Sequence, residues 1–221
     1  MRKLLIAAAT AAALAPLGAY ATVGYFSHGY GMKGKGRGGA STAMTTDSFG
    51  GANNPATMVY AGDRMDLGVD WFQPDRSASR AGSFGGAGFV DGAAEGNEVS
   101  SFLVPEFGYN KMLAPNMSLG ITVYGNGGMN TTYETNPFTG FGGTGEAGVD
   151  LMQLFVAPTV AWKSGNHSFG VSLNLAYQRF EANGLQPFDN PFVSSSPGSV
   201  TNNGYDDSTG WGVRIGWSSV T

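Results

Sequence analysis

The chain has no cysteine and only two histidines, His28 and His167. Without thiols it forms neither disulfides nor thiolate metal sites, which separates it from small cross-linked secreted scaffolds. The histidines stand apart from each other and from acidic clusters, so metal binding and histidine-based catalysis have no motif to work with. Charge is scarce as well: Asp, Glu, Lys and Arg make up 13% of the residues, about half the share usual in soluble domains. The net charge of -4 leaves no basic footprint for nucleic acid. Beyond the first twenty residues no apolar run is long enough to cross a bilayer as a helix. A surface so poor in charge is expected where much of it faces lipid, and a chain without spanning helices can face lipid as a β-barrel.

Glycine is abundant, 36 of 221 residues. The densest cluster, GYGMKGKGRGG from Gly29 to Gly39, matches G-x-G-x-x-G at Gly34, Gly36 and Gly39, with Lys33, Lys35 and Arg37 interleaved. A phosphate cradle of that pattern needs a buried strand before it, a helix after it, and an acidic residue about 20 positions on. Here TVGYFSHGY is broken by Gly24 and Gly29, and ASTAMTTDSFGGANNPA lacks the apolar stripe of a crossover helix. Nucleotide binding is not expected, and the glycines need another explanation.

The amino terminus carries the most specific local signal. Met1, Arg2 and Lys3 precede the apolar LLIAAATAAALAPLG, and Ala19-Tyr20-Ala21 supplies a small-x-small cleavage pattern. Residues 1–21 read as a secretory signal peptide. A retained helical anchor is not expected, because the run is shorter than the roughly 20 residues of a span and contains Pro16.

From Met65 onward the pattern changes to a period of two. Met65, Leu67, Val69 and Trp71 alternate with small or polar residues, as do Met117 to Val123, Phe169 to Tyr177 and Trp211 to Trp217. The less regular runs near 102–111 and 149–163 complete about six expected strands, most near the ten or so residues a tilted strand needs to cross a bilayer. A soluble sandwich shows the same alternation. The connections separate the two: NKMLAPNMS and KSGNHS are short, whereas 77–98, 126–148 and 181–210 are long. Short and long turns in strict alternation are the pattern of an outer-membrane barrel, with short periplasmic turns and long external loops. Trp71, Phe72, Tyr109, Trp162, Tyr177, Phe180, Trp211 and Trp217 near strand ends suit interfacial aromatic girdles. Six strands are fewer than the roughly eight at which such barrels begin, and the last run ends close to WSSVT. The expectation is an all-β, antiparallel transmembrane barrel whose first part is given by this sequence, with further strands beyond it.

The stretch GKGRGGASTAMTTDSFGGANNPATMVYAGDRMDLGVDW resembles the amino-terminal plug and first strand of the FadL/TodX family of outer-membrane transporters for long-chain fatty acids and aromatic hydrocarbons. The shared features are the run Gly36-Arg37-Gly38-Gly39-Ala40, a small and polar segment, and Asn54-Pro55-Ala56 ahead of the barrel. VDLMQLFVAPTVAWKSGNHSFGVSLNLAYQRF is similar to the family's fourth and fifth strands. The likeness runs from about Gly29 to Trp217. It implies a barrel of about fourteen strands, with residues 22–62 folded into the lumen as a plug and 63–221 forming the first six or so strands. It further implies passive transport: capture by apolar loop residues, passage into the barrel, plug rearrangement, and lateral exit through the wall. Asn54, Pro55 and Ala56, with Gly36 and Arg37, map to the plug and its gating. Phe138, Phe141, Leu185, Phe188, Phe192 and Val193 are candidates for capture on the long loops. The plug glycines would let its backbone turn sharply and lie close to the wall, with Arg37 and the two lysines pairing with inward carboxylates such as Asp66 and Asp70. No cofactor, metal or nucleic acid is expected. The implied partners are a hydrophobic small molecule and the lipid and lipopolysaccharide of the outer membrane, around a monomer.

Three other kinds of protein share parts of this pattern. A membrane hydrolase would need a histidine beside a nucleophile and an acid, and no G-x-S-x-G elbow is present. A general porin for small polar solutes would carry charged loops, whereas these are rich in Gly, Asn and Phe. A secreted soluble β protein would have to accommodate three long loops at one end.

Overall fold

Period-two sequence becomes a curved antiparallel sheet wrapped around the segment that precedes it. The computed structural model describes residues 26–44, 47–82, 91–127 and 130–220. The expected signal peptide, 1–21, lies outside the described residues. The described chain opens with one helical turn, α1 (Met32–Lys35), and a 3₁₀ segment (Pro55–Tyr60). The strands are β1 (Arg64–Phe72), β2 (Ser77–Arg80), β3 (Gly92–Glu95), β4 (Phe102–Ala114), β5 (Met117–Gly127), β6 (Thr131–Tyr133), β7 (Ala147–Ser164), β8 (His167–Asn183) and β9 (Asp206–Ser219). The main sheet has the order β1-β4-β5-β7-β8-β9, with β6 paired to β7. Its six long strands are the six expected runs. At 9 to 18 residues, each reaches the nine or so residues of a tilted membrane crossing.

Short turns at 115–116 and 165–166 lie at one end, and the long connections 73–101, 128–146 and 184–205 at the other. The long connections carry structure that the sequence does not announce. SASR (β2) and GAAE (β3) pair as a hairpin, and TTY (β6) adds to β7. These pieces are too short for alternation to register. Among the described residues the sheet is open, with β1 and β9 each paired on one side.

The polarity of the sheet is reversed relative to a soluble protein. One face presents Met65, Leu67, Val69, Leu103, Val213 and Ile215 outward, with Leu67 75% and Ile215 79% exposed. The other face buries Asn110, Ser118, Thr122, Thr159, Ser168 and Ser172. A sandwich buries its apolar face; this sheet buries its polar one, the arrangement a lipid-facing barrel wall requires. Outward aromatics sit at two levels. Trp162 stacks on Phe169, and Trp217 on His167, at the short-turn end, whereas Trp71, Trp211 and Tyr177 lie toward the long loops. Phe72 and Phe180 do not join these belts. They fall on the inner face, at the positions of Asp70 in β1 and of Asn174 in β8, because side chains alternate strictly along each strand.

The buried apolar clusters lie between the amino-terminal segment and the inner face. Tyr30, Phe49 and Ala52 pack on Tyr124 and Ala157, and Met58 and Val59 pack on Ala161. Such close approach is possible because the wall beneath is glycine. A Cβ at Gly108 would overlap Ser48, one at Gly120 the Met58 side chain, and one at Gly170 the Pro55–Ala56 backbone. On the side of the amino-terminal segment, a Cβ at Gly51 would press 2.7 Å from both Thr122 Oγ1 and Thr159 Oγ1.

Candidate functional site

The glycine-rich loop is not a phosphate cradle. Its amides are used internally: Lys35 donates to Gly31 O, Gly36 to Met32 O, and Gly39 to Gly34 O. Gly29, Gly31 and Gly39 take φ values of 85°, 80° and 89°, which let the loop close on itself, and a Cβ at Gly29 would lie 2.9 Å from Gly39 Cα. Gly36, in contrast, is helical and exposed. This loop delivers Lys35 to the wall, where its ammonium pairs with both Asp70 of β1 and Glu106 of β4. Glu106 Oε2 also accepts the Gly31 amide at 3.0 Å. Arg37 does not reach an inward carboxylate; its guanidinium lies 3.7 Å from Met44 Sδ. Asp66 is held by Arg64 and by the Ser48 amide and hydroxyl.

Asn54 ties the segment to the opposite part of the sheet. Its Oδ1 accepts the Ala56 amide, capping the 3₁₀ segment, and Pro55 occupies the first turn, where a missing N–H costs nothing. Its Nδ2 donates to Thr42 O at 2.8 Å and to Trp217 O of β9 at 3.1 Å. Arg214 of β9 donates to the carbonyls of Gly51 and Ala52. Asn110 of β4 donates to Met58 O and Gly62 O. Tyr30 donates its hydroxyl to Asn126 Oδ1 of β5 at 2.6 Å, and burial pushes that phenol above its ordinary pKa, keeping it a neutral donor. The segment is thus hydrogen-bonded to β1, β4, β5 and β9.

Beside this segment the wall comes apart. The β4–β5 ladder ends at Glu106↔Tyr124. Beyond it, Phe102 to Pro105 stay paired only with β1, and Gly125 to Gly127 only with β7. Pro105, which has no amide, and Gly125, which has no side chain, are the first residues beyond the last pair. The first long connection closes the gap above: Asn97 bridges to Thr132 and Arg76 reaches Thr131. The result is a window, not a slot. A cavity of about 340 Å³ occupies it, lined among others by Leu103, Val104, Pro105, Gly125, Leu151 and Leu154.

That cavity adjoins the inner face of the sheet. Phe72, Val104, Gly125, Asn126 and Gly127 also line a second cavity of about 380 Å³ that reaches Lys35, Asp70, His28 and Phe26. Phe26 in turn borders a third, of about 600 Å³, between Tyr124, Phe155 and β9. Tyr124 stacks on Phe155 in its wall, with centroids 5.0 Å apart, and Tyr30 packs tilted against Tyr124 at 4.4 Å. Phe72, Lys35 and Asp70 are legible in the sequence as a strand-end aromatic and inward charges, whereas the window lined by Val104, Pro105 and Gly125 exists only once the register of β4 against β5 is known.

The loop candidates divide in two. Phe138 meets Phe188 edge to face at 5.1 Å, joining the second and third long loops, and Leu185 lines a cavity of about 250 Å³ with Phe138. Phe192 and Val193 stand out into solvent, Phe192 at 97% exposure, and Phe141 is partly exposed.

No protein-family model and no curated protein matches the chain. Among solved structures it is similar to the deltaS2S3 mutant of the TodX monoaromatic hydrocarbon channel, with a TM-score of 0.63 and 21% identity over 86% of this chain and 51% of that one. It is also similar to the deltaS2 mutant of that channel, with a TM-score of 0.58 and 21% identity over 81% and 48%. A Pseudomonas aeruginosa FadL homologue gives 0.48 and 15% over 80% and 45%. The chain spans about half the length of the structures it matches. Its fold is that of a TodX-type β-barrel over the shared region.

Proposed function

We propose that this chain, built on the fold of the TodX channels, belongs to an outer-membrane channel that passes hydrophobic small molecules by diffusion. Residues 22–62 act as the plug, and the strands from β1 onward are staves of a barrel completed by further strands. The observation that carries this reading is the window between β4 and β5, lined mainly with apolar side chains and sharing Phe72, Val104 and Gly125 with the cavity beside the plug. A hydrophobic solute gains free energy by leaving water, roughly 25 cal/mol per Å² of apolar surface, and a window in the wall lets it enter the bilayer without crossing the aqueous periplasm.

Phe192, Val193, Phe141, Phe188, Phe138 and Leu185 capture the solute on the long loops. The plug then yields, with Asn54, Pro55 and Ala56 as its attachment and Gly36 and Arg37 in the loop that turns. The porin alternative asks for an aqueous, charged constriction, whereas the window lining contains no charged side chain. The soluble alternative leaves the apolar outer face, including Leu67 and Ile215, in water. The reading is tested by uptake of labelled toluene and oleate into cells carrying the channel, with and without Asn54→Ala. Uptake unchanged from cells lacking the channel would overturn it.

A further inference from the structure

The route has an electrostatic character that the solute must match, and this inference rests on the channel reading above. The window itself is uncharged: its polar lining consists of Ser101, Asn126, Asn130 and Gln153. Immediately inside, Lys35 and Asp70 line the adjoining cavity. The Lys35 ammonium is shared by two carboxylates, Asp70 and Glu106. Glu106 is only 2% exposed, and Asp70 is 27% exposed toward the cavity. One cation against two anions leaves this trio with a net charge of -1 at the inner mouth of the window. Arg214, the cation of the next cavity, lies beyond Phe26 and is engaged by the plug carbonyls of Gly51 and Ala52.

A carboxylate-bearing solute arriving at the window meets an ammonium that already has two partners, in surroundings of reduced dielectric where like charges repel over several ångströms. A neutral solute meets no such opposition. We infer that the Lys35–Asp70–Glu106 trio is a charge filter that admits neutral hydrophobic solutes to the wall window and turns back their ionised carboxylate counterparts. Asp70 is the specificity-determining side chain, since it is the carboxylate of the pair that faces the cavity.

The test compares two probes of equal chain length, oleate and methyl oleate, with toluene as the measure of the channel itself. Uptake is followed at pH 8 in cells carrying the complete channel in the outer membrane at matched amounts. The wild type takes up methyl oleate about tenfold faster than oleate, a ratio set by one unit of charge at close range. Asp70→Asn, which leaves Lys35 balanced by Glu106, brings the ratio to within about twofold while toluene uptake stays unchanged. His28→Gln, in the same cavity but outside the trio, keeps the wild-type ratio. Equal uptake of oleate and methyl oleate by the wild type, or a ratio that Asp70→Asn does not move while toluene still enters, overturns the filter and leaves the channel intact. Should Asp70→Asn fail to reach the membrane, Glu106→Gln is read by the same ratio. Uptake of none of the three probes above cells lacking the channel overturns the transport reading and the filter together.

Discussion

Val104 of β4 and Gly125 of β5 face each other across the gap in the wall, so close that a Cβ at Gly125 would stand 2.9 Å from Val104 Cγ1. The window is open because one of the two positions carries no side chain. Filling it is therefore the most economical way to close the route while leaving the barrel's ladders alone.

Gly125→Leu is expected to fill the window and lower hydrocarbon uptake about tenfold, with the Val104 side chain shifting to admit a Cβ that would stand 2.9 Å from its Cγ1, at a cost of about 1–3 kcal/mol that leaves the barrel assembled. Gly125→Ala is expected to give a partial loss. Labelled-toluene uptake at matched outer-membrane amounts checks both, and a Gly125→Leu channel as fast as the wild type would show that the solute leaves elsewhere.

Asn54→Ala removes a helix cap and the hydrogen bond to Trp217 O at once. The expected cost is about 1–2 kcal/mol in the attachment of the plug, seen as faster protease cleavage within the plug while the strands stay protected. Cleavage at the wild-type rate would mean that Arg214 and Asn110 hold the plug without it.

Gly170→Val places a side chain against the backbone of Pro55 and Ala56, which cannot move aside as a flexible side chain can. We expect the plug to be displaced at a cost of about 1–3 kcal/mol. Gly212→Val, on the same inner face but in neighbouring β9 and with nothing within 4 Å, is expected to be tolerated. Heat-induced unfolding of the two barrels in detergent distinguishes them.

On the loops, Phe192→Ser is expected to raise the solute concentration needed for half-maximal uptake while leaving the maximal rate unchanged, because Phe192 touches little but solvent. Phe138→Ala is expected to act structurally, losing about 1 kcal/mol of edge-to-face contact with Phe188 and loosening both loops. If Phe192→Ser lowers the maximal rate instead, capture lies elsewhere.

The six long strands were legible because a wall between lipid and a polar interior forces alternation, and Leu67, Val69, Val213 and Ile215 display it without interruption. The hairpin of β2 and β3 was not, since SASR and GAAE have no apolar face to alternate. Among the candidate site residues, Asn54 and Pro55 stand out in the sequence by their place ahead of the first strand, and their roles as cap and first-turn proline come from the structure. The partnership of Lys35 with Glu106 is not, because 71 residues separate them and only strand register brings them together. Arg37, beside Lys35 in the chain, carries the same charge but points to Met44. Pro105 and Gly125 are ordinary breakers in the sequence and become a window only as neighbours on adjacent strands.

The absence of cysteine makes the central claim directly testable. Val104→Cys and Gly125→Cys introduce a pair whose Cβ atoms lie within the roughly 4.5 Å a disulfide spans, closing the window when oxidised and reopening it when reduced. Toluene uptake by cells carrying this double variant is the measurement to make. The account predicts that uptake falls on oxidation and returns with dithiothreitol, while each single variant is indifferent to both treatments. Uptake that continues unchanged through the oxidised, cross-linked channel would contradict passage between β4 and β5.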